Sequence, residues 1–469
     1  MAAATPTNFV DAGAAKRDWR VSLGNARVAA GMSPAKYGFD TTATPSCTND
    51  YVVFGLNVAG SATQANLIAF NQLYSGTGGF CGTGGPSVLF SYNVSTIGGR
   101  IATSPILSLD GTKIAFVETS GAQAVFHILT WARGAGNGTS ATAPAVPGTG
   151  NTASMVSIAM GTANTRSSPW IDYSSDTVYV GNNSGRVNKL TGVFKGTPKL
   201  IEVNPWPVIA SAGTILTGPV LDKVTGKIFV GASNGRVLSF NATTPGAITS
   251  LAVGKSGTVG ANILDAPIVD STNGLVYAVS SNDGTGAVLV QANASNLTQI
   301  ARARIGVGSG GGTNIAMYGG TPDNNYFNSP STGQFLVCGT AAGSTAPWSY
   351  GFPFTGTTLN TTPNFSASIV ASTRARCSPI TEFFNPNVGA GGTDFFFLGL
   401  TIDCFGANTV GCIFVHQSQG TAPPAVSENG GTSGIVIDNQ STVGQASSIY
   451  FTNQATAGSA IKLTQSGLN

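Results

Sequence analysis

Residues 217–240 read TGPVLDKVTGKIFVGASNGRVLSF. Gly218-Pro219 leads into a short apolar run, Val220-Leu221. Asp222 to Gly226 has turn composition, because Asp and Gly accept backbone angles that other residues avoid. Lys227-Ile228-Phe229-Val230 is β-branched and aromatic, which predicts a strand. Asn234-Gly235 is a strong short hairpin signal. Val237 to Phe240 then predicts a third strand, and Ile248 to Val253 a fourth. One copy is a four-stranded antiparallel meander.

The same grammar recurs along the chain. Ser168-Pro169-Trp170-Ile171-Asp172 leads to Thr177-Val178-Tyr179-Val180-Gly181, and Ala266-Pro267-Ile268-Val269-Asp270 leads to Gly274-Leu275-Val276-Tyr277. Ser104-Pro105-Ile106-Leu107 leads to Lys113 to Val117, and Cys377-Ser378-Pro379-Ile380 leads, after an insertion at Asn385 to Thr393, to Asp394 to Phe397. Four-stranded repeats of roughly 40–50 residues predict a propeller, since a lone meander cannot bury both of its faces. The fold class expected is therefore all-β, a β-propeller of four-stranded antiparallel blades.

Taken in order, residues 1–16 form an Ala-rich arm, and residues 17–469 form a single propeller domain. Trp19 to Leu23 is an orphan strand. Unit one ends at Tyr92, and unit two runs from Ser104 through Met155 to Met160. Units three to five are the clean copies. Unit six is degenerate, with strands expected at Asn325 to Phe327, Gln334 to Val337, Trp348 to Phe354 and Phe365 to Val370. Unit seven ends with Cys412 to Val415. The last unit, Gly434 to Leu463, stops one strand short, and the orphan strand would complete it, closing the ring by pairing the chain ends. This gives eight blades, or seven if unit six is an insertion.

Of 469 residues only 9% are charged, 63 are Gly, and the formal net charge is +3. That charge is small and scattered, which argues against nucleic acid. No apolar run approaches the ~18–20 residues of a membrane-spanning helix. Arg302/Arg304 and Arg374/Arg376 put paired charges on one strand face, expected to be solvated. Few carboxylates are available to lose native pairings, so tolerance of pH extremes is expected. Residues 1–16 carry no basic segment leading into an apolar core, the pattern of a cleaved export leader.

The cysteines Cys47, Cys81, Cys338, Cys377, Cys404 and Cys412 are even in number, with no CxxC and only 2 His in the chain, so zinc spacing fails. A hairpin disulfide across Phe405 to Asn408 would join Cys404 to Cys412. Cys47 with Cys81, and Cys338 with Cys377, are the natural remaining pairs. Sequence alone leaves fifteen pairings open, as well as free buried thiols. Disulfides would imply an oxidising compartment, extracellular or at a cell surface.

The Ser-Pro-led pattern ending in Asp, followed by Thr-Gly and an apolar strand closed by Val-Gly, resembles the quinoprotein-like (PQQ-like) propeller superfamily and, more loosely, secreted bacterial propellers. It covers residues 100–300 well. The resemblance implies the propeller architecture. Quinoprotein dehydrogenases also need a calcium-binding acid, a catalytic Asp and a tryptophan docking pattern, which this sequence does not supply, so no cofactor is expected.

No assembled catalytic set is legible. His127 lies between Phe126 and Ile128 as a satisfied strand histidine, and His416 follows Val415 at a strand end. Gly308 to Gly312 lacks the Lys-Ser/Thr of a phosphate loop. Asp110 and Asp283 sit in Asp-Gly-Thr turns that could offer oxygens to calcium. Asp172, Asp222, Asp270 and Asp438 recur at one repeat position, where a carboxylate ring could hold a cation or each could cap its own turn. Trp170, Trp206 and Trp348 suit inter-blade packing or sugar stacking. These readings favour a binding or structural module over an enzyme. Its ligand would be a protein or glycan, and it could self-associate into an oligomer or fibre by terminal strand exchange. The alternative is a secreted oxidoreductase or carbohydrate-active enzyme with its site at the axial mouth.

Overall fold

The computed structural model describes residues 15–38, 44–386, 391–404, 410–417, 424–439 and 445–465. Its strands form eight antiparallel sheets of four principal strands, the blades of a propeller. Blade 4 carries the founding repeat: Val220–Asp222, Lys227–Gly231, Arg236–Asn241 and Thr249–Ala252. Asp222 pairs with Lys227 and Gly231 with Val237, so the two turns fall where the Asp and Asn-Gly signals put them. Gly235 adopts a φ of 79°, and a Cβ there would lie 2.6 Å from the Ala261 carbonyl oxygen. Only Gly meets both demands.

The blades are closed into a ring by their first strands. Ala35–Tyr37 touches Ile106–Leu107 on one side and Val436–Asn439 on the other, and Val220–Asp222 touches Trp170–Asp172 and Ile268–Asp270. These strands surround the axis. Alternation sends successive side chains to opposite junctions: Trp170 packs between blades 3 and 4, and Ile171 between blades 2 and 3. Among the described residues the buried apolar side chains form eight clusters, one per junction. Phe229, fully buried between blades 4 and 5, is typical; burial of one such ring contributes ~1.5–3 kcal/mol.

Blade 8 comprises Val436–Asn439, Ser447–Thr452, Ser459–Gln465 and, from the other end of the chain, Ala15–Ser22. Ala15 faces Gln465 and Ser22 faces Ser459, so the ring closes through its own termini. The closing strand starts four residues before the expected Trp19, taking in Ala15 and Lys16 of the arm; residues 1–14 lie outside the described residues.

Two local expectations are corrected. Residues 325–327 are not a strand: Asn324–Asn328 is a helix, because Asp323 caps it by accepting from the Tyr326 N–H, and the first strand of blade 6 is Thr321–Pro322. The insertion in blade 7 falls at the expected Asn385 to Thr393, where Asn385 pairs directly with Thr393 at the ends of strands Thr381–Asn385 and Thr393–Leu400. Blade 7 also has a fourth strand, Pro424–Ser427, where the sequence suggested none. Unit six is a full blade, which removes the seven-blade alternative.

Candidate functional site

One end of the axis is lined by the residues that precede the first strands. The Ser33 N–H donates to Ser104 Oγ at 2.9 Å and the Ser104 N–H to Ser168 Oγ at 3.0 Å, while Ser168 Oγ lies 3.2 Å from Met32 Sδ. The Gly434 N–H donates to the Met32 carbonyl. These are small, neutral groups. The exception is Asp265 in blade 5, at the position held by Thr217 and Ser167, whose hydroxyls accept from the Gly231 and Gly181 N–H groups. Asp265 accepts from the Gly319 N–H at 2.7 Å, and burial pushes its carboxyl up to about 7.

At the other end the recurring carboxylates are turn caps and inter-blade latches. Asp172 accepts from Ser174 and Ser175 of its own turn and pairs with Lys223 of blade 4. Asp222 accepts from Val224 and Thr225 and from Ser271 of blade 5. Asp270 accepts from Thr272 and Asn273 and from the Tyr326 hydroxyl of blade 6. Asp438 pairs with Lys36 of blade 1 at 2.9 Å. A donor from the following blade thus reaches back to each, and the carboxylates serve packing rather than an open cation ring. Between blades 6 and 7, burial and the neighbouring Asp394 push Glu382 up to about 8, and burial also raises Asp394 and Asp323. Among the described residues no three His, Cys, Asp or Glu side chains are placed to hold a metal ion.

A polar recess lies on blade 3. Its fourth strand is broken into Lys199–Leu200 and Val208–Ile209, both paired to Arg186–Thr191. The break contains Asn204-Pro205-Trp206-Pro207, and prolines cannot donate to a ladder. The chain therefore leaves the sheet, and a cavity of about 240 Å³ opens beside the third strand. Arg186, Asn188, Asn182, Ser184 and Glu202 line it. Trp206 turns inward, 6% exposed, with Lys189 Nζ 5.4 Å over its ring.

The six cysteines form three disulfides, Cys47–Cys81, Cys338–Cys377 and Cys404–Cys412, which suits an oxidising compartment. Trp170, Trp206 and Trp348 pack at junctions rather than forming a stacking surface. Arg302 and Arg304 are not simply solvated: both pair with Asp283, whose carboxyl is held down to about 2 with that help. Asp110 binds Ser108 and Thr112 of its own turn. Gly308 to Gly312 lies in the connection between blades 5 and 6. His127 is buried and bonded on both sides, to Ser157 and to Glu118. The His416 side chain lies outside the described residues. Sequence reading missed Glu118, Ser157, Glu382 and the Arg186 cluster. Only the Pro205/Pro207 pair signalled the recess. Among the described residues no helix is long and apolar enough to cross a membrane.

No family model and no curated protein matches the chain. Solved structures do. Chaetomium thermophilum Sqt1, bound to the N-terminus of ribosomal protein L10, is similar at 11% identity and TM-score 0.58, covering 96% of this chain and 100% of that one. The C-terminal WD40 domain of Sif2 is similar at 11% identity and TM-score 0.51, covering 97% and 99%. BamB from Moraxella catarrhalis aligns at 14% identity and TM-score 0.48, over 96% and 98%. At such identities the likeness shows a β-propeller fold and leaves function to the sites themselves.

Proposed function

We propose that this chain is an extracellular or cell-surface binding module of the quinoprotein-like branch of propellers, and that the recess on blade 3 takes its ligand. The observation that carries the reading is the meeting of Arg186, Asn188 and Glu202 in a cavity of about 240 Å³. Such a recess offers fixed donors beside an acceptor, which suits a small polar ligand such as a saccharide unit. The repeat motif supports the choice of branch, and the three disulfides support the compartment. The axial alternative is weaker. One end of the axis carries mostly small neutral groups, and the carboxylates Asp172, Asp222, Asp270 and Asp438 at the other are engaged in latches.

A glycan array followed by calorimetry on the best hit tests this. Arg186→Ala with Asn188→Ala is expected to weaken binding by roughly ten- to a hundredfold, the loss of one or two hydrogen bonds. Binding that survives the double variant unchanged would rule the recess out.

A further inference from the structure

Glu118, His127 and Ser157 come from three adjacent strands of blade 2, Lys113–Ser120, Gln123–Thr130 and Ser154–Ala159. Ser157 lies directly opposite His127, and its Oγ is 2.9 Å from His127 Nδ1. His127 Nε2 is 3.0 Å from Glu118 Oε2. Glu118 and His127 are fully buried, whereas Ser157 is exposed on the outermost strand. The carboxylate is held by the Thr96, Ile97 and Gly99 N–H groups and the Thr96 hydroxyl, all from the link between blades 1 and 2.

Those bonds settle the tautomer. His127 and the surrounding donors hold the Glu118 carboxyl down to about 2, against the pull of burial, so it is ionised and acceptor-only. Nε2 therefore carries the proton, and the Nδ1 lone pair faces the Ser157 hydroxyl. The rung geometry adds a second element. The Met160 N–H donates to the Ala124 carbonyl, so alternation makes Ser157/His127 a non-hydrogen-bonded rung. Side chains approach most closely on such rungs, and the Ser157 N–H turns to the open edge of the blade, on the solvent side of its own hydroxyl.

We infer that Ser157 is an activated nucleophile, with His127 as its base and Glu118 as a positioning residue, and that its substrate class is carboxylic esters. Ser157 Oγ bonds to the acyl carbon while its proton passes to His127 Nδ1. The ester C–O bond breaks, and the leaving alcohol takes that proton. Water then attacks the acyl-serine along the same proton path, releasing the acid and restoring the hydroxyl. The Ser157 N–H is the donor nearest the developing oxyanion. This inference goes beyond the binding reading and is independent of the blade 3 recess.

The test is labelling of the whole chain with a fluorophosphonate, mapped by mass spectrometry, alongside p-nitrophenyl acetate turnover. Ser154, exposed on the same strand, is an internal reference that needs no variant. Labelling at Ser157 is expected to outrun Ser154 by on the order of 10²–10⁴-fold, the range of general-base assistance. Ser157→Ala should abolish nitrophenolate release, and Glu118→Gln should lower the maximal labelling rate while leaving probe affinity unchanged. Labelling no faster at Ser157 than at Ser154, or turnover unaffected by Ser157→Ala, overturns the proposal.

Discussion

Asp222 shows how one side chain can serve two blades. It closes its own turn through Val224 and Thr225 and accepts from Ser271 of the next blade. Asp222→Ala leaves those donors without their acceptor, and a cost of ~1–3 kcal/mol is expected in urea unfolding. Lys223→Ala should cost less than ~1 kcal/mol, since its pair with Asp172 is solvent-exposed on the lysine side. Glu382 carries the opposite electrostatic sense. Its folded pKa, about 8, stands above the ordinary Glu range, so the folded chain binds the extra proton and stability falls as pH climbs from ~4.3 towards 8. Glu118 and Asp283, both near 2, contribute stability that is present above ~4 and lost as pH falls towards 2. The melting temperature should therefore peak in mildly acidic buffer, and Glu382→Gln should make the alkaline side shallower, with the slope from Asp265 remaining, while leaving the acid side unchanged. A sparse set of carboxylates does not make the fold indifferent to pH, because several of those present are buried.

The blades are not equally joined. Among the described residues, the junction of blades 6 and 7 buries six apolar residues, against seventeen between blades 5 and 6. The Cys338–Cys377 disulfide crosses that thinner junction, closing a separation of 39 residues. Replacing both cysteines with Ala is expected to cost ~2–4 kcal/mol. Hydrogen exchange should rise first in Thr381–Asn385, the strand that follows Cys377. Uniform exchange across all blades in that variant would show that the disulfide does not hold this junction in particular.

Closure of the ring rests on buried charge as well as on strand pairing. Lys462, on the strand that receives the N-terminal segment, lies 3.0 Å from Asp18, with both side chains fully buried. Asp18 sits at the register shift between Arg17 and Trp19 and also accepts from Thr464. Beside it, the Tyr74 hydroxyl reaches Asp50 and Asp438, and Lys36 pairs with Asp438. Lys462→Met strips the ammonium from a buried carboxylate, and a loss of ~3–5 kcal/mol is expected. Limited proteolysis should then cut first near Ala15–Ser22. Global unfolding with no early cut there would mean that the closing strand is not the weakest unit.

The recurring proline, the Asp and Asn-Gly turns and the two-residue alternation specified a ring of four-stranded blades closed by pairing of the chain ends, while the choice of eight over seven waited on unit six folding as a full blade. All of these signals act within a few residues, through backbone angles and the two faces of a strand. They failed where local competition was close: Asp323 capped a helix turn in place of a strand, and two prolines split an outer strand. The six cysteines were legible as an even set, and the pairs read as natural from their order along the chain are the three that form, although spacing alone left fifteen pairings open. The relay from Glu118 through His127 to Ser157 was invisible. Its members stand nine and thirty residues from the histidine, and only strand register places them side by side. Burial, which raises Glu382 and walls off Glu118, is a property of neighbouring blades, and no stretch of the chain carries it alone.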